Sequence, residues 1–144
     1  MNILFLDIDG VLVHHSYNPT PGTGLLDHMD PKCVKIINDL CKDLGLVVVV
    51  HSTWVHVDPP EHIMARLKEA GFELHHLHHD WVCNSTRDKS AAIASWILKH
   101  PEATAYLVID DEKIGTHPQV QVFSGMFTKG IQLHHREKVV QYFS

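Results

Sequence analysis

Short apolar runs alternate with helix-patterned segments along this chain, and that alternation constrains the fold more than any other feature. The runs 2–6, 46–50 and 105–109 are almost wholly apolar, which is typical of strands covered on both faces of a parallel sheet. Helical patterns fill the intervals between these runs, as in repeated βαβ units. The sequence therefore predicts an α/β fold, a three-layer Rossmannoid sandwich around a mostly parallel central sheet.

Turn and cap residues set the predicted element boundaries. Asp30 precedes Pro31 as a helix cap before a proline at the first helical position, and Gly45 ends that helix. The segment 11–29 contains four Gly and Pro residues close together (Pro19, Pro21, Gly22 and Gly24) and is predicted to be an irregular loop or small flap. The remaining predicted elements are helices over 58–71, 89–100 and 136–143, and short strands beginning at 72–74 and at 120–123.

The length of 144 residues suits one domain with one hydrophobic core, so we expect residues 1–144 to form a single domain. The segment 11–29 is too short to form a domain of its own. No apolar run approaches the roughly 20 residues of a membrane helix, which predicts no membrane partner. The first residues also lack the basic region of a secretory signal, and we expect a cytoplasmic protein.

Charge, cysteine and histidine content narrow the partners further. A formal charge of −5 gives no broad attraction for nucleic acid, although a local basic patch can still exist. Cys33, Cys41 and Cys83 are expected to be buried free thiols rather than a disulfide or metal site. Neighbouring residues of a strand or loop point to opposite faces, so only alternate members of the histidines at 75, 76, 78 and 79 could share a metal ion, and we expect these histidines on the surface. A structural Zn²⁺ site at these histidines is the less favoured alternative.

Polar residues follow the predicted strands at the edge of the sheet where parallel sheets bind ligands. They include carboxylates, hydroxyls and an amine, which are the groups that phosphoryl transfer needs for positioning and charge neutralisation. The candidate site residues are Asp7, Asp9, Ser52, Thr53, Lys89, Asp110 and Asp111.

Asp7 and Asp110 follow strands predicted to be neighbours, so their like charges would lie close together. Such a pair is costly unless a cation lies between the carboxylates or one of them stays protonated. A hard, oxygen-liganded cation that keeps several waters describes Mg²⁺. Gly10 would let the backbone bend and approach a phosphate, and Lys89 would supply fixed positive charge.

The run from Ile3 to Leu12, ILFLDIDGVL, resembles the first motif of the haloacid dehalogenase (HAD) superfamily. Asp-x-Asp-Gly also resembles part of a calcium loop, but the later Glu of an EF-hand is absent. A hydroxyl residue, a lysine and an acidic pair follow in the order typical of HAD proteins. This resemblance spans positions 3 to 111 and implies a minimally capped, phosphatase-like member.

For the acidic residues, the resemblance implies specific roles. Asp7 would be the nucleophile, forming an aspartyl-phosphate, and also a Mg²⁺ ligand. Asp9 would be the general acid and then the base, and would bind Mg²⁺ through its backbone carbonyl. Asp110 would ligate Mg²⁺ directly or through water, with Asp111 in support. The presence of a second Asp, at position 9, is similar to the motif of HAD phosphatases and phosphotransferases rather than to that of dehalogenases.

For the phosphoryl group, the resemblance implies that Ser52 and Lys89 hold it, and Thr53 is the alternative to Ser52. The HSTW segment is similar to a Ser/Thr-Ser/Thr-Trp stretch of small HAD proteins, some of them associated with nucleic-acid end repair. It departs from them at His51, where a small or hydroxylated residue is common, and at Val55, where Arg often follows Trp54.

The enzyme in this interpretation is essentially capless, so it would act on a phosphorylated nucleic-acid end, a nucleotide or a phosphoprotein, or its site would be closed by an oligomeric neighbour. Two other functions compete with this interpretation. The first alternative is a catalytically inactive HAD-fold binding or regulatory module, against which the pair Asp7 and Asp9 argues. The second is a histidine-mediated Zn²⁺ or Ni²⁺ binder, which would carry stoichiometric transition metal.

Overall fold

A sheet of five parallel strands forms the centre of the protein in this computed structural model, which describes residues 1–19, 28–123 and 129–144. The strands lie side by side in the order β3-β2-β1-β4-β5, so β1 lies between β2 and β4. Their carboxyl ends therefore meet at one edge of the sheet. In chain order the strands are β1 (Asn2–Leu6), β2 (Leu46–Val50), β3 (Leu77–Val82), β4 (Ala105–Asp110) and β5 (Gln119–Gln121).

Helices cover both faces of this sheet. They are α1 (Pro31–Leu44), α2 (Trp54–Val57), α3 (Pro60–Glu69), α4 (Lys89–Lys99) and α5 (Leu133–Phe143), with a 3₁₀ turn at Leu74–His76. The predicted start and end of α1 are confirmed: the Asp30 side chain accepts a hydrogen bond from the Lys32 amide at 2.9 Å. Gly45 then ends the helix in the left-handed conformation, with φ of 64°.

The alternation of side chains along β1 creates two cores. Leu4 and Leu6 are fully buried with residues of α1, α3 and α5, whereas Ile3 and Phe5 are fully buried with residues of α4. The Phe5 ring meets the Trp96 ring of α4 edge to face, with centroids 5.4 Å apart. One sheet between two helical layers is the predicted three-layer α/β sandwich, and that prediction is confirmed without a cap domain among the described residues.

Two stretches differ from the predicted element pattern. The strand predicted at 72–74 is wrong, because the chain there makes a 3₁₀ turn and the strand follows at Leu77–Val82. This strand lies at the edge of the sheet and carries His, His and Asp, so it lacks the apolar run by which the inner strands are recognised. The one-turn helix α2 was not predicted, and α5 begins at Leu133 rather than at 136.

The expectation that the histidines at 75, 76, 78 and 79 lie on the surface is wrong for two of them. His76 is 9% exposed and His78 is 3% exposed. The Nε2 atom of His78 lies 3.1 Å from a carboxylate oxygen of Glu102, and its ring meets Trp96 edge to face. Burial is tolerated because a hydrogen-bond partner and an aromatic neighbour replace water. By contrast, the predicted burial of all three cysteines as free thiols is confirmed.

The segment 11–29 is anchored at both ends, and residues 20–27 lie outside the described residues. Near its start the Gly10 amide donates to the Val13 carbonyl at 2.9 Å, and the Asp30 amide donates to the Leu12 carbonyl at 2.8 Å. His14 Nε2 lies 2.7 Å from Asp30 Oδ2, which ties the two ends together. Within the described part of the chain, every helix is too short or too polar to span a lipid bilayer.

Candidate active site

Three carboxylates converge where β1 and β4 end. Asp7 is the residue after β1, Asp110 is the last residue of β4, and Asp111 follows it. One oxygen of each lies within 4.8 Å of one oxygen of the others. Asp7 is 2% exposed and Asp110 is fully buried. The parallel pairing of β1 with β4, in which the Asp7 amide donates to the Ile109 carbonyl at 3.0 Å, fixes this proximity.

Lys89 places a positive charge beside two of these carboxylates. Its Nζ lies 3.0 Å from Asp110 Oδ2 and 3.4 Å from Asp7 Oδ2. It is the first residue of α4, and Asp88 caps this helix by accepting a hydrogen bond from the Ala91 amide at 3.2 Å. Burial would lower the pKa of Lys89, but the charges of Asp7 and Asp110 raise it. The lysine therefore stays a fixed cation.

His51 contacts Asp110 and was not predicted as a site residue. It is the first residue after β2, fully shielded from solvent, and its Nε2 lies 2.7 Å from Asp110 Oδ2. Its Nδ1 has no hydrogen-bond partner among the described residues. Burial lowers the pKa of His51, so the neutral ring is favoured with the proton on Nε2 facing the carboxylate. Its position directly after an apolar run was the signal that could have identified it.

The two buried acids differ in their electrostatics. Burial and the neighbouring charge of Asp110 raise the pKa of Asp7 well above its ordinary value, against the attraction of Lys89. Burial would also raise the pKa of Asp110, but hydrogen bonds from His51 and from the Glu112 amide (2.9 Å) lower it. Asp110 is therefore held as an anion beside an Asp7 that resists ionisation unless more positive charge is supplied.

The acid cluster fits a hard divalent cation. An octahedral ion with oxygen ligands at about 2.0–2.1 Å holds those oxygens about 3–4 Å apart. Carboxylate oxygens of Asp7, Asp110 and Asp111 lie within 4.8 Å of one another, close enough for one such ion to contact all three residues. A cation there would also remove the repulsion that raises the pKa of Asp7. An all-oxygen donor set of this kind favours Mg²⁺ over softer metals.

Asp9 does not belong to the acid cluster found among the described residues. Its side chain is half-buried, and Oδ1 accepts a hydrogen bond from the Trp54 indole Nε1 at 3.1 Å. Burial raises its pKa, against the opposing effect of Trp54 and Lys89. Asp9 and Trp54 both border an open cleft of about 560 Å³. The cleft is lined by Asp9, Trp54, Val57, Asp58, His62, Ala65, Arg66 and Glu69.

Gly10 brings the backbone against the acid cluster. Its φ is +81°, and a Cβ atom built there would lie 2.7 Å from Cγ and 2.9 Å from Cβ of Asp111. Both the left-handed backbone and the close approach exclude a larger residue. The glycine therefore sets where Asp111 can lie relative to Asp7.

The two hydroxyl residues after β2 differ in their surroundings. Ser52 is fully buried, and its Oγ accepts a hydrogen bond from the Trp54 amide at 3.3 Å. Thr53 is exposed and precedes α2 without a side-chain cap bond. Neither belongs to the acid cluster, and the assignment of either one to phosphate binding stays a prediction.

Comparison with known families adds one match. The family model described as "HAD domain in Swiss Army Knife RNA repair proteins" matches residues 3–135, a span that contains every candidate site residue named above. No curated protein shows a significant sequence match.

Proposed function

The chain belongs to the family of HAD domains in Swiss Army Knife RNA repair proteins, and on that basis we propose that it is a Mg²⁺-dependent phosphatase that hydrolyses phosphomonoesters through Asp7. Family membership supports a HAD-type hydrolase in general. The reaction, the residue roles and the substrate are our proposal. The observation that carries it is the convergence of Asp7, Asp110 and Asp111 beside the Lys89 ammonium.

In the first half of the proposed reaction, a carboxylate oxygen of Asp7 attacks phosphorus and the bond to the ester oxygen breaks. Asp9 donates its proton to that oxygen, so the product alcohol leaves neutral and an aspartyl-phosphate remains. The raised pKa of Asp9 and its place in the lining of the cleft support this role. Lys89, with Ser52 or Thr53, would hold the phosphoryl oxygens.

In the second half, a water molecule attacks phosphorus while Asp9, now ionised, accepts its proton. The acyl-phosphate bond breaks, inorganic phosphate leaves, and Asp7 is restored. Asp7, Asp110 and Asp111 would hold Mg²⁺ together with the backbone carbonyl of Asp9. When bound, the ion supplies the positive charge that lets an anionic nucleophile approach an anionic phosphate.

The proposed substrate is a phosphate at a nucleic-acid end or on a nucleotide. The family description names RNA repair proteins, which supports this class. The open cleft beside Asp9 and the lack of a cap domain among the described residues also suit an ester that is part of a larger molecule. We also propose that residues 1–144 form one hydrolase domain and that the protein lies in the cytosol. The cytosol is a reducing compartment in which cysteines such as Cys33, Cys41 and Cys83 remain free thiols.

The test is release of inorganic phosphate with MgCl₂ or with EDTA, over pH 5 to 8. The substrates are an aryl phosphate, nucleoside monophosphates, RNA oligonucleotides with a 3′- or 5′-phosphate, and a phosphopeptide. We expect Mg²⁺-dependent release that is fastest with the nucleotide and RNA substrates. Asp9→Asn should slow release from RNA about 10²–10⁴-fold, the usual size of acid–base catalysis. Asp43→Asn, at a surface ion pair with Arg136, should not.

Absence of phosphate release from every substrate would leave the inactive binding module as the better account. Preference for the phosphopeptide would support a phosphatase activity but would contradict a nucleotide or a nucleic-acid end as the substrate.

A further inference from the structure

Trp54 contacts the carboxylate that the proposed reaction uses as acid and base. The indole Nε1 donates to Asp9 Oδ1 at 3.1 Å, and both side chains are half-buried. We infer that Trp54 is a positioning residue, and this inference rests on the proposed function. Trp54 holds Asp9 with its other oxygen directed at the leaving group of the substrate.

The hydrogen bond decides which oxygen of Asp9 can carry the proton. An indole N–H can only donate, so the oxygen that it contacts must act as an acceptor. In a protonated carboxyl group, the acceptor is the carbonyl oxygen and the hydroxyl oxygen is the donor. With Oδ1 held by Trp54, the transferable proton is on Oδ2. The indole therefore selects the donor atom as well as the side-chain rotamer of Asp9.

Trp54 is itself held by the turn that follows β2. Its amide donates to Ser52 Oγ at 3.3 Å, and its carbonyl accepts from the Asp58 amide at 2.8 Å. The next residue, Val55, is 8% exposed and belongs to the core. These contacts fix the backbone of Trp54, and the hydrogen bond to Asp9 Oδ1 then sets the direction of its indole. A defined position of this kind is what a positioning residue requires.

The same side chain borders the space in which a leaving group would lie. Trp54 and Asp9 line the cleft of about 560 Å³, together with His62 and Arg66 of α3. The buried acids Asp7 and Asp110 are not among the residues that line this cleft, whereas Asp9, two residues after Asp7, is. In our proposal a phosphate against Asp7 therefore has its ester group in this cleft, beside Asp9. Trp54 would then contact both the general acid and the group that receives its proton.

This role has a consequence that simple structural support does not share. Protonation matters for a poor leaving group such as an alkyl alcohol and matters little for a good one such as 4-nitrophenolate. The parameter kcat/KM covers binding and the first chemical step, in which the leaving group departs. A misplaced acid should thus lower kcat/KM selectively for alkyl phosphates, whereas general damage to the site should lower it for both substrate types.

The experiment measures kcat/KM for a nucleoside monophosphate and for 4-nitrophenyl phosphate with Trp54→Phe, which keeps an aromatic ring and removes the N–H. We expect a loss of about tenfold or more for the nucleotide, a part of the 10²–10⁴ that acid–base catalysis contributes, and less than about threefold for the aryl ester. The matched control is Trp96→Phe, which removes an indole hydrogen bond to the Asp80 carbonyl at 2.9 Å. This control should show no selective loss.

A double-mutant cycle with Asp9→Asn gives the second readout. If Trp54 acts through Asp9, then Trp54→Phe should cause no further loss in the Asp9→Asn background. Equal losses for both substrates, or additive losses in the cycle, would overturn the inference and leave the phosphatase proposal intact. A parent protein that releases no phosphate would overturn the phosphatase proposal and this inference with it. Unfolding curves for each variant identify any that are misfolded, and Trp54→Met, which also lacks a donor, would then replace Trp54→Phe.

Discussion

His51 Nε2 lies 2.7 Å from Asp110 Oδ2, and neither side chain is exposed to solvent. Both oxygens of Asp110 are engaged in the protein, since Oδ1 accepts from the Glu112 amide at 2.9 Å. The carboxylate is thus oriented before any ligand arrives. Partners that orient a ligand in this way commonly change metal affinity about 10–100-fold when they are removed.

His51→Leu should weaken Mg²⁺ binding by about that factor, because Asp110 loses the donor that fixes its orientation and favours its ionised form. His51→Gln, whose amide can still donate, should retain most of the affinity. Isothermal titration with Mg²⁺ and the Mg²⁺ dependence of phosphate release measure both variants. Parental affinity in His51→Leu would show that the contact has no effect on the acidic site.

Gly10→Ala should impair both stability and activity. The methyl group would meet the Asp111 carboxyl group, and the φ of +81° adds strain. We expect a loss of about 1–3 kcal/mol in the free energy of unfolding, with phosphate release reduced at least tenfold. Gly71→Ala is the matched control, because its φ is +96° but no atom of the described residues lies within 4 Å of the added Cβ. The control should lose about 1 kcal/mol in the free energy of unfolding and keep its activity. Equal losses of activity in the two variants would show that Gly10 has no specific role in the site.

Lys89→Met should destabilise the protein and abolish phosphate release. The substitution leaves Asp7 and Asp110 as close, buried carboxylates without a cation, and losing one partner of a buried pair costs about 3–5 kcal/mol. Denaturant unfolding in EDTA measures the loss. Lys99→Met, at the exposed end of the same helix, should change stability by less than about 0.5 kcal/mol. A similar stability for both variants would contradict the electrostatic role of Lys89.

The stability of the protein should fall between pH 6.5 and pH 4, in part because of His135. Burial, with the nearby charges of His134 and Lys138, lowers the pKa of His135 from 6.5 to about 4. The unfolded chain therefore binds this proton first, and stability present above pH 6.5 is lost as the pH falls. In the folded protein the neutral ring is needed, since Nδ1 accepts from the Gln132 amide at 2.9 Å.

His135→Gln should remove about 1–3 kcal/mol of this acid sensitivity, because the amide oxygen can accept the same bond without titrating. Denaturant unfolding at pH 7 and pH 4 measures the difference. His134→Gln, at the exposed neighbouring position, should keep most of the sensitivity. An unchanged pH dependence in His135→Gln would assign the acid sensitivity to other buried groups, such as His78.

The fold could be predicted from the sequence where side-chain pattern and burial agree. Strand β1 and helix α1 were predicted because an inner strand is apolar throughout and because Asp30 and Gly45 are strong boundary residues. Strand β3 was missed because it is an edge strand whose buried His78 depends on Glu102, a partner 24 residues away. A pairing at that distance leaves no local pattern in the sequence.

Asp7 and Asp110 at the sheet edge were predictable because each directly follows an apolar run, and Asp111 follows Asp110. The topology then explains why Asp7 and Asp110 meet: β1 pairs with β4 in parallel register. His51 and Trp54 were harder to assign, since their importance depends on contacts with Asp110 and Asp9, 59 and 45 residues away. Sequence patterns predicted the candidate reactive groups, and the three-dimensional structure shows which residues contact them.

The most direct test of the central proposal is chemical trapping of the aspartyl-phosphate. The protein is mixed with substrate and Mg²⁺, quenched in acid and reduced with borohydride, which converts a phosphorylated aspartate to homoserine. Peptide mass spectrometry then locates the change. We predict homoserine at position 7, dependent on both substrate and Mg²⁺ and absent from Asp7→Asn. Phosphate release with Asp7 unmodified, or undiminished release by Asp7→Asn, would contradict the assignment of Asp7 as the nucleophile.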